Sequence, residues 1–376
     1  MRYAGGNHCA ASPPNAPSRK KEPPMRRPVS RSLRLAQILA VCAVLSAAAG
    51  AFARTVTDMA GHKVAVPDAP KRVYALSPPD ALLVYAIDPC VLAGWNYPPY
   101  PPTAGYLPPC AAKLPVLGGF FGKDVAPDKD AILAAKPDLV VTGSMAKPQA
   151  AFNVFFTKHR IPVVAIDSES PEDYAPAWRV LGAALGRTER AAALAAYAEA
   201  TLAGIRKGLA TVPEAERLRV YYAEGGDGLY TDGADSFHTL AIKLAGGVNV
   251  YAKPQTNRYG MDRVTMEDVV GFAPQVILAQ DAKCRDMLLA SPAWSEIPAV
   301  KNGRVLLLPD TPFGWFDRPP SFMRLLCIKW LANAFYPEVF PYDMVKETKA
   351  FYKLFLQVDL TDATAEALLS GKSVAP

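Results

Sequence analysis

Two stretches of the chain share one order of apolar and polar positions. Residues 130–143 read DAILAAKPDLVVTG, and residues 267–280 read EDVVGFAPQVILAQ. Each opens on a carboxylate, Asp130 or Glu267. Each has an aliphatic pair two and three residues later, a proline at the seventh, and then an apolar run. The pattern predicts a short helix, a proline that cannot continue its hydrogen-bond ladder, and a buried strand. One such unit in each half of the chain predicts that the halves are built alike.

The surrounding pattern extends this reading. KRVYAL (71–76) predicts a buried strand. SPPD followed by ALLVYAI predicts a helix with a Ser or Asp cap and proline in its first turn. VLAGW (91–95) reads as a second short strand, AFNVFFTKH as a helix and PVVAI (162–166) as the next strand. Alternation of this kind predicts an α/β domain with a largely parallel sheet. Residues 188–212 then run without proline, with Leu194, Ala198, Leu202, Ile205 and Leu209 on one helical stripe. Glu189 near the start and Arg206 and Lys207 near the end suit the helix dipole. That helix would span roughly 37 Å. Strands resume with RVYYAE (219–224), QVILA and RVLLLP (304–309), separated by the predicted helices SFHTLAIKLAGG and TMEDVVGF. Three helical stretches close the chain at 321–335, 342–356 and 361–369. The fold class is α/β: two lobes with largely parallel central sheets, 54–187 and 213–376, joined by one long linker helix, 188–212.

The first 53 residues do not fit either lobe. Residues 1–24 are rich in Pro, Ser and basic side chains and read as a disordered extension, with Met25 the better start. Residues 25–53 carry a basic segment, an apolar run at 35–51 and the small-residue signal Ala51-Phe52-Ala53. That is a secretory signal peptide cleaved after Ala53, which makes the mature protein periplasmic. A membrane anchor is the alternative, but the run is short for a span. Cys42 lacks the small residue expected before a lipidated cysteine. The leader also explains the basic balance. It holds eight of the 41 Lys/Arg and one of the 35 Asp/Glu, so the remainder carries 33 and 34, a net charge of −1. A nucleic-acid partner is therefore not expected. In an exported chain a disulfide is permitted. Cys90 and Cys110 flank one Pro-rich loop and are the best pair, whereas Cys327 reads as a small core residue.

The ordered set of segments resembles the class III periplasmic substrate-binding proteins. These are helix-linked, two-lobed carriers of Fe(III)-siderophores, haem, cobalamin and related metal chelates for ABC importers. RTVTDMAGHKVAVPDAPKRVYALSPPDALLVYAI resembles the family's opening strands, and LGGFFGKDVAPDKDAILAAKPDLVV its N-lobe signature. GRTERAAALAAYAEATLAGI sits where its linker helix lies. RVYYAEGGDGLYTDGADSFHTLAIKLAGGVNVY is similar to the start of its C-lobe, and AWSEIPAVKNGRVLLLP and GWFDRPPSFMRLLCIKWLANAFYP to its end. The resemblance implies a ligand cleft between the lobes and no resident cofactor, the metal chelate being cargo. It implies a permease dimer as partner for a monomeric carrier. It also implies that Asp130 and Glu267, one acid per lobe, dock on basic residues of that dimer.

Cleft residues are sought just past the strand ends. In the first lobe these are Trp95, Tyr97, Phe120, Phe121, Ser144 and Met145. In the second they are Tyr230, Arg258, Tyr259, Arg263, Trp315, Phe316 and Arg318. Aromatic walls suit large planar chelates, and arginine suits anionic ones. A bare metal ion is disfavoured, since His62, His159 and His238 come from separate places with no i,i+4 pair. One histidine completing a chelated metal's coordination stays open. So does the identity of the chelate, a small nickel chelate included. The rival reading is an exported α/β enzyme, but the chain has no G-x-S-x-G elbow, H-E-x-x-H or P-loop.

Overall fold

The computed structural model describes residues 54–120, 126–143, 149–256 and 259–376. The expected extension and leader lie outside the described residues. No helix among the described residues is long and apolar enough to cross a membrane.

The fold opens on an antiparallel pair, β1 (Arg54–Thr57) and β2 (Lys63–Val66). β3 (Val73–Ala75) leads into α1 (Pro78–Ile87), and a one-turn helix, α2 (Pro109–Ala112), follows a Pro-rich loop. Then come α3 (Lys129–Ala134), β4 (Leu139–Thr142), α4 (Gln149–Lys158) and β5 (Val163–Ala165). α5 (Tyr174–Leu185) turns at Gly186, whose φ of 68° is left-handed, into the linker α6 (Thr188–Leu209). The second half contains β6 (Arg219–Ala223), β7 (Tyr230–Thr231), α7 (Leu240–Leu244), β8 (Val248–Asn249) and β9 (Asp262–Arg263). α8 (Met266–Phe272), β10 (Val276–Ala279), α9 (Ala282–Ala290), α10 (Pro298–Lys301) and β11 (Val305–Leu307) complete its sheet. The chain closes with α11 (Arg324–Phe335), α12 (Met344–Leu356) and α13 (Asp362–Leu369).

Both central sheets are parallel. The first has the order β3-β4-β5 and the second β11-β10-β6-β8. VLAGW is not a strand. Val91 ends a short 3-10 turn, and the segment only touches the sheet through isolated bridges, Val73 to Leu92 and Trp95 to Val116. SFHTLAIKLAGG is helical only over Leu240–Leu244, so His238 sits in the preceding turn.

The doubled phrase is one unit built twice. α3 and α8 supply the helices, and β4 and β10 the strands. The residue before each proline, Lys136 or Ala273, takes a left-handed conformation with φ of 50° or 43°. A residue preceding proline is pushed out of the right-handed helical region, so both helices stop there. The residue after each proline then ties the strand to its neighbour. Asp138 accepts from the backbone of Arg72 at 3.0 Å, and Asp138 N–H donates back to Arg72 O at 2.9 Å. Gln275 does the same to Arg219, at 2.9 and 2.8 Å. Register follows in both sheets: Val73 faces Leu139, and Val220 faces Val276.

Alternation along these strands decides where the core sits. Val73, Ala75, Leu139 and Val141 point one way, as do Val220, Tyr222, Val276 and Leu278. All eight enter one continuous core with α1, α5, α6 and the closing helices α11, α12 and α13. The opposite faces bury Tyr74, Val140 and Phe156 in one satellite core, and Tyr221, Ile277 and Trp294 in another. The closing helices thus seal the first lobe as well as the second. Trp178 and Tyr197 meet Phe355 at 5.5 and 5.3 Å between ring centres.

Candidate functional site

Parallel strands deliver their C-terminal ends to one edge, and both sheets do so with buried polar residues. In the first lobe Asp80, in the first turn of α1, is wholly buried. It accepts from Ser77 Oγ at 2.7 Å, from Ser168 Oγ at 2.7 Å and from Gly143 N–H at 2.8 Å. These partners stand just past β3, β5 and β4, so one carboxylate gathers three strand exits. A side chain at Gly143 would put its Cβ 2.4 Å from Asp80 Oδ1, which only glycine avoids. Burial pushes the Asp80 carboxyl up to about 6, against the pull of these hydrogen bonds.

In the second lobe the centre is Arg318, in the loop after β11. Its Nε donates to Glu224 Oε1 at 2.7 Å, its Nη2 to Asp232 Oδ2 at 2.9 Å and its Nη1 to Tyr259 O at 3.2 Å. Glu224 stands just past β6 and Asp232 just past β7, and both are fully buried. Asp232 Oδ1 accepts from Met261 N–H at 3.0 Å, and a Cβ at Gly260 would lie 1.8 Å from that oxygen. Asp317 stands beside Arg318 and holds His238 Nδ1 at 2.6 Å. Burial pulls the Asp317 carboxyl up, but His238, Arg318 and Arg324 together outweigh it and hold it below the usual range. Burial pushes Glu224 up to about 8, with Arg318 opposing and Asp232 adding to the rise. Burial weakens the Arg318 charge, yet Asp317 and Glu224 more than restore it.

Across this edge, the two halves meet through hydrogen bonds. Tyr174 O–H donates to Ser321 O at 3.0 Å, and Arg324 Nη1 to Glu169 O at 2.7 Å. Arg324, the first residue of α11, is fully buried, and its Nε and Nη2 have no partner among the described residues.

Several expected cleft residues lie elsewhere. Trp315 has no exposed surface and donates its indole N–H to Thr311 O at 2.9 Å. Trp95 is 6% exposed, donates to Ala111 O at 2.9 Å and packs on Tyr85 and Phe313. Phe316 is buried against Tyr222. These rings fill the shared core and do not form an open wall, because each indole N–H finds an internal carbonyl. Arg318 is already engaged: its donors meet Glu224, Asp232 and the Tyr259 carbonyl. Phe120 is half-buried, edge-on to Phe152. Tyr97 is half-buried, and burial raises its phenol above the usual range. Tyr230 and Arg263 come together through the β7–β9 pairing. The guanidinium lies 4.7 Å from the ring centre and bonds Asp227 at 2.7 Å. Phe121, Ser144, Met145 and Arg258 lie outside the described residues. Cys90 and Cys110 are joined in a disulfide, with Cα atoms 5.3 Å apart. Asp130 and Glu267 are both exposed in the first turns of α3 and α8.

Among the described residues, one group has metal-ligand spacing. Asp232, His238 and Asp317 offer atoms within 4.8 Å of one another. Arg318 already supplies positive charge there. A cavity of about 560 Å³ lies at the opposite end of α1, lined by Ile87, Asp88, Tyr106, Leu356 and Val358 among others, and meets none of this chemistry. Asp80, Glu224, Asp232, Asp317 and Arg324 were not singled out from sequence. Their signal is a charge set beside an apolar run, as in SFMRLLCIKW around Arg324.

The comparisons with known proteins agree with this architecture. A family model described as periplasmic binding protein matches residues 99–312. The molybdate-binding protein MolA of Haemophilus influenzae is 26% identical over 360 residues, which span 86% of this chain and 97% of that one. A vitamin B12-binding protein of Salmonella typhi is 28% identical over 265 residues, spanning 70% and 89%. The solved structure of an ABC transporter solute binding protein from Sulfurospirillum deleyianum aligns with a TM-score of 0.79. It is 34% identical and covers 84% of this chain and 98% of that one. The chain belongs to the periplasmic binding proteins, in their helix-linked class III.

Proposed function

We propose that this protein is the substrate-binding component of an ABC importer and carries a metal-containing anion or chelate, as cargo and not as a resident cofactor. The observation that carries the reading is the meeting of two parallel sheets at one polar edge, in a chain of this family. Its similarity to a molybdate-binding and a vitamin B12-binding protein supports metal-containing cargo.

Export and docking belong to the same proposal. The leader read over residues 25–53 would carry the chain out of the cytoplasm. Asp130 and Glu267 are exposed at matched places in the doubled unit, as two equivalent pockets of a permease dimer require. The protein is a carrier and not an enzyme in this reading. The test is calorimetric titration of the exported protein with molybdate, cyanocobalamin, a nickel–histidine complex, haemin and a ferric siderophore. One of these should bind saturably, and its uptake should be lost on deletion of the gene. Failure of all five to bind, with uptake unchanged, would overturn the proposal.

A further inference from the structure

The doubled unit divides its side chains in the same way in both halves. Each aliphatic pair has one member in a core and one outside it. Ile132 and Val269 are fully buried in the two satellite cores. Leu133 is half-buried and Val270 is 58% exposed, and among the described residues neither belongs to any core. The acids divide too. At the start of α3, Asp128 accepts from the N–H groups of Asp130 and Ala131, both at 3.0 Å, and the Asp130 carboxylate is left over. At the start of α8, Asp268 and Thr265 cap one another at 2.9 and 3.1 Å, and the Glu267 carboxylate is left over. No hydrogen bond or ion pair among the described residues engages either spare acid. The positions after Leu133 and Val270 are small and exposed, Ala134 and Gly271, and a Cβ at Gly271 would meet nothing within 4 Å.

Helix residues three and four apart share one face. Asp130, Leu133 and Ala134 therefore form one outward patch, and Glu267, Val270 and Gly271 form its counterpart. The helix dipole accounts for an acid in a first turn. It does not account for the aliphatic side chain one turn on, which lies outside every core and adds nothing to the packing of its lobe. Valine is also a weak helix former. A single exposed aliphatic residue is ordinary. The same residue type beside the same unspent acid in both halves calls for one cause. Ile132 and Val269 are kept apolar by the cores they fill, but Leu133 and Val270 are not. A partner that meets both patches must itself be built twice, and each of its sites must set a basic side chain beside an apolar hollow. The paired membrane subunits of an importer have that repeat. We infer that Leu133 and Val270 are the apolar half of the permease-docking patches. The acids steer the encounter, and the aliphatic side chains hold the complex by leaving water. The inference rests on the docking reading of Asp130 and Glu267 and deepens it.

Spheroplasts of a strain deleted for this gene expose the outer face of the inner membrane. The exported protein, fluorescently labelled, is titrated onto them over a range of salt concentrations, with unlabelled protein as competitor. The wild-type protein should bind saturably. Leu133→Gln together with Val270→Thr keeps the size of both side chains and makes them polar. This double variant should weaken binding about 10- to 100-fold. It should keep the parent's thermal midpoint and its dependence on ionic strength, since no charge is touched. Asp130→Asn together with Glu267→Gln should instead flatten that dependence. Wild-type affinity in the aliphatic double variant, with binding lost in the acid one, overturns the inference and leaves the docking acids in place. A lowered thermal midpoint in the aliphatic variant would make Leu133 and Val270 part of the fold, and overturns it as well. Absence of saturable binding by the wild-type protein, or binding that neither pair alters, removes the docking reading itself and the inference with it.

Discussion

Two arginines six positions apart have opposite surroundings. Arg318 holds Glu224 and Asp232, and removing it would leave Asp232 without its counter-charge and Glu224 without its donor, both fully buried. We expect Arg318→Met to cost about 3–5 kcal/mol of stability. Urea denaturation measures it, and a cost below about 1 kcal/mol would show the network to be dispensable. Glu224 adds a pH dependence. Its carboxyl is raised from 4.5 to about 8 in the folded chain. Between these values the folded state binds the proton that the unfolded state has released. The group's contribution to stability is therefore complete below about 4.5 and is lost as pH rises through about 8. Asp80 acts in the same direction, but only up to about 6. Glu224→Gln keeps an acceptor for Arg318 and cannot ionise. It should flatten the fall in unfolding free energy from about pH 6 to about pH 8 while leaving the Asp80 slope below that window. An unchanged slope between those two pH values would assign the titration to another group.

The doubled helix–proline–strand unit shows how much of an element is local. The helix, its stop at the proline and the strand after it follow from a few residues, and all three were legible as a pattern. The side-chain bond from Asp138 to Arg72, or from Gln275 to Arg219, was not, because it joins residues 66 and 56 positions apart. The Pro-rich loop makes the same point. Cys90 and Cys110 close it 20 residues apart. Inside it Thr103 donates to Pro312 O, and Tyr106 O–H donates to Val374 O at 2.8 Å. The loop thus fastens the C-terminal segment to the first lobe. Cys90→Ser with Cys110→Ser should lower stability by about 3 kcal/mol through the freed loop alone. Thermal and urea unfolding of the double variant check this, and an unchanged midpoint would show that the bond does not form in the native protein.

At the scale of the molecule, the linker α6 covers roughly 33 Å and packs within a core common to both sheets. Such a shared core resists a wide opening of the lobes, since opening would expose Phe322 and Phe355 where they pack on Tyr85 and Trp178 of the first lobe. The outer surface carries the transport prediction. Asp130→Ala together with Glu267→Ala should leave cargo affinity unchanged and abolish uptake, because both acids are exposed in the first turns of α3 and α8. Uptake of labelled cargo in whole cells, with affinity measured on the purified double variant, decides it. Transport at the wild-type rate would reduce both acids to first-turn residues, each giving about 0.3–1 kcal/mol to its helix.

The α/β class, the two matched halves and the long linker helix were determined by the sequence alone. Each rests on periodicity, proline placement and composition within a window of about 10 to 20 residues. The pairing of Cys90 with Cys110 was readable for the same reason, since the two flank one loop. Only the tertiary structure decided the character of the polar edge. Trp95 and Trp315 follow glycines and Phe316 lies in the same loop as Trp315, which reads as a ligand wall, yet the closing helices fold back over them and make them core. In sequence Arg324 is a lone charge among apolar residues, and Arg318 has only Asp317 beside it. Whether each finds a carboxylate depends on Glu224 and Asp232, more than 80 positions away. Burial and charge pairing are properties of what arrives from elsewhere in the chain, and no local window contains them.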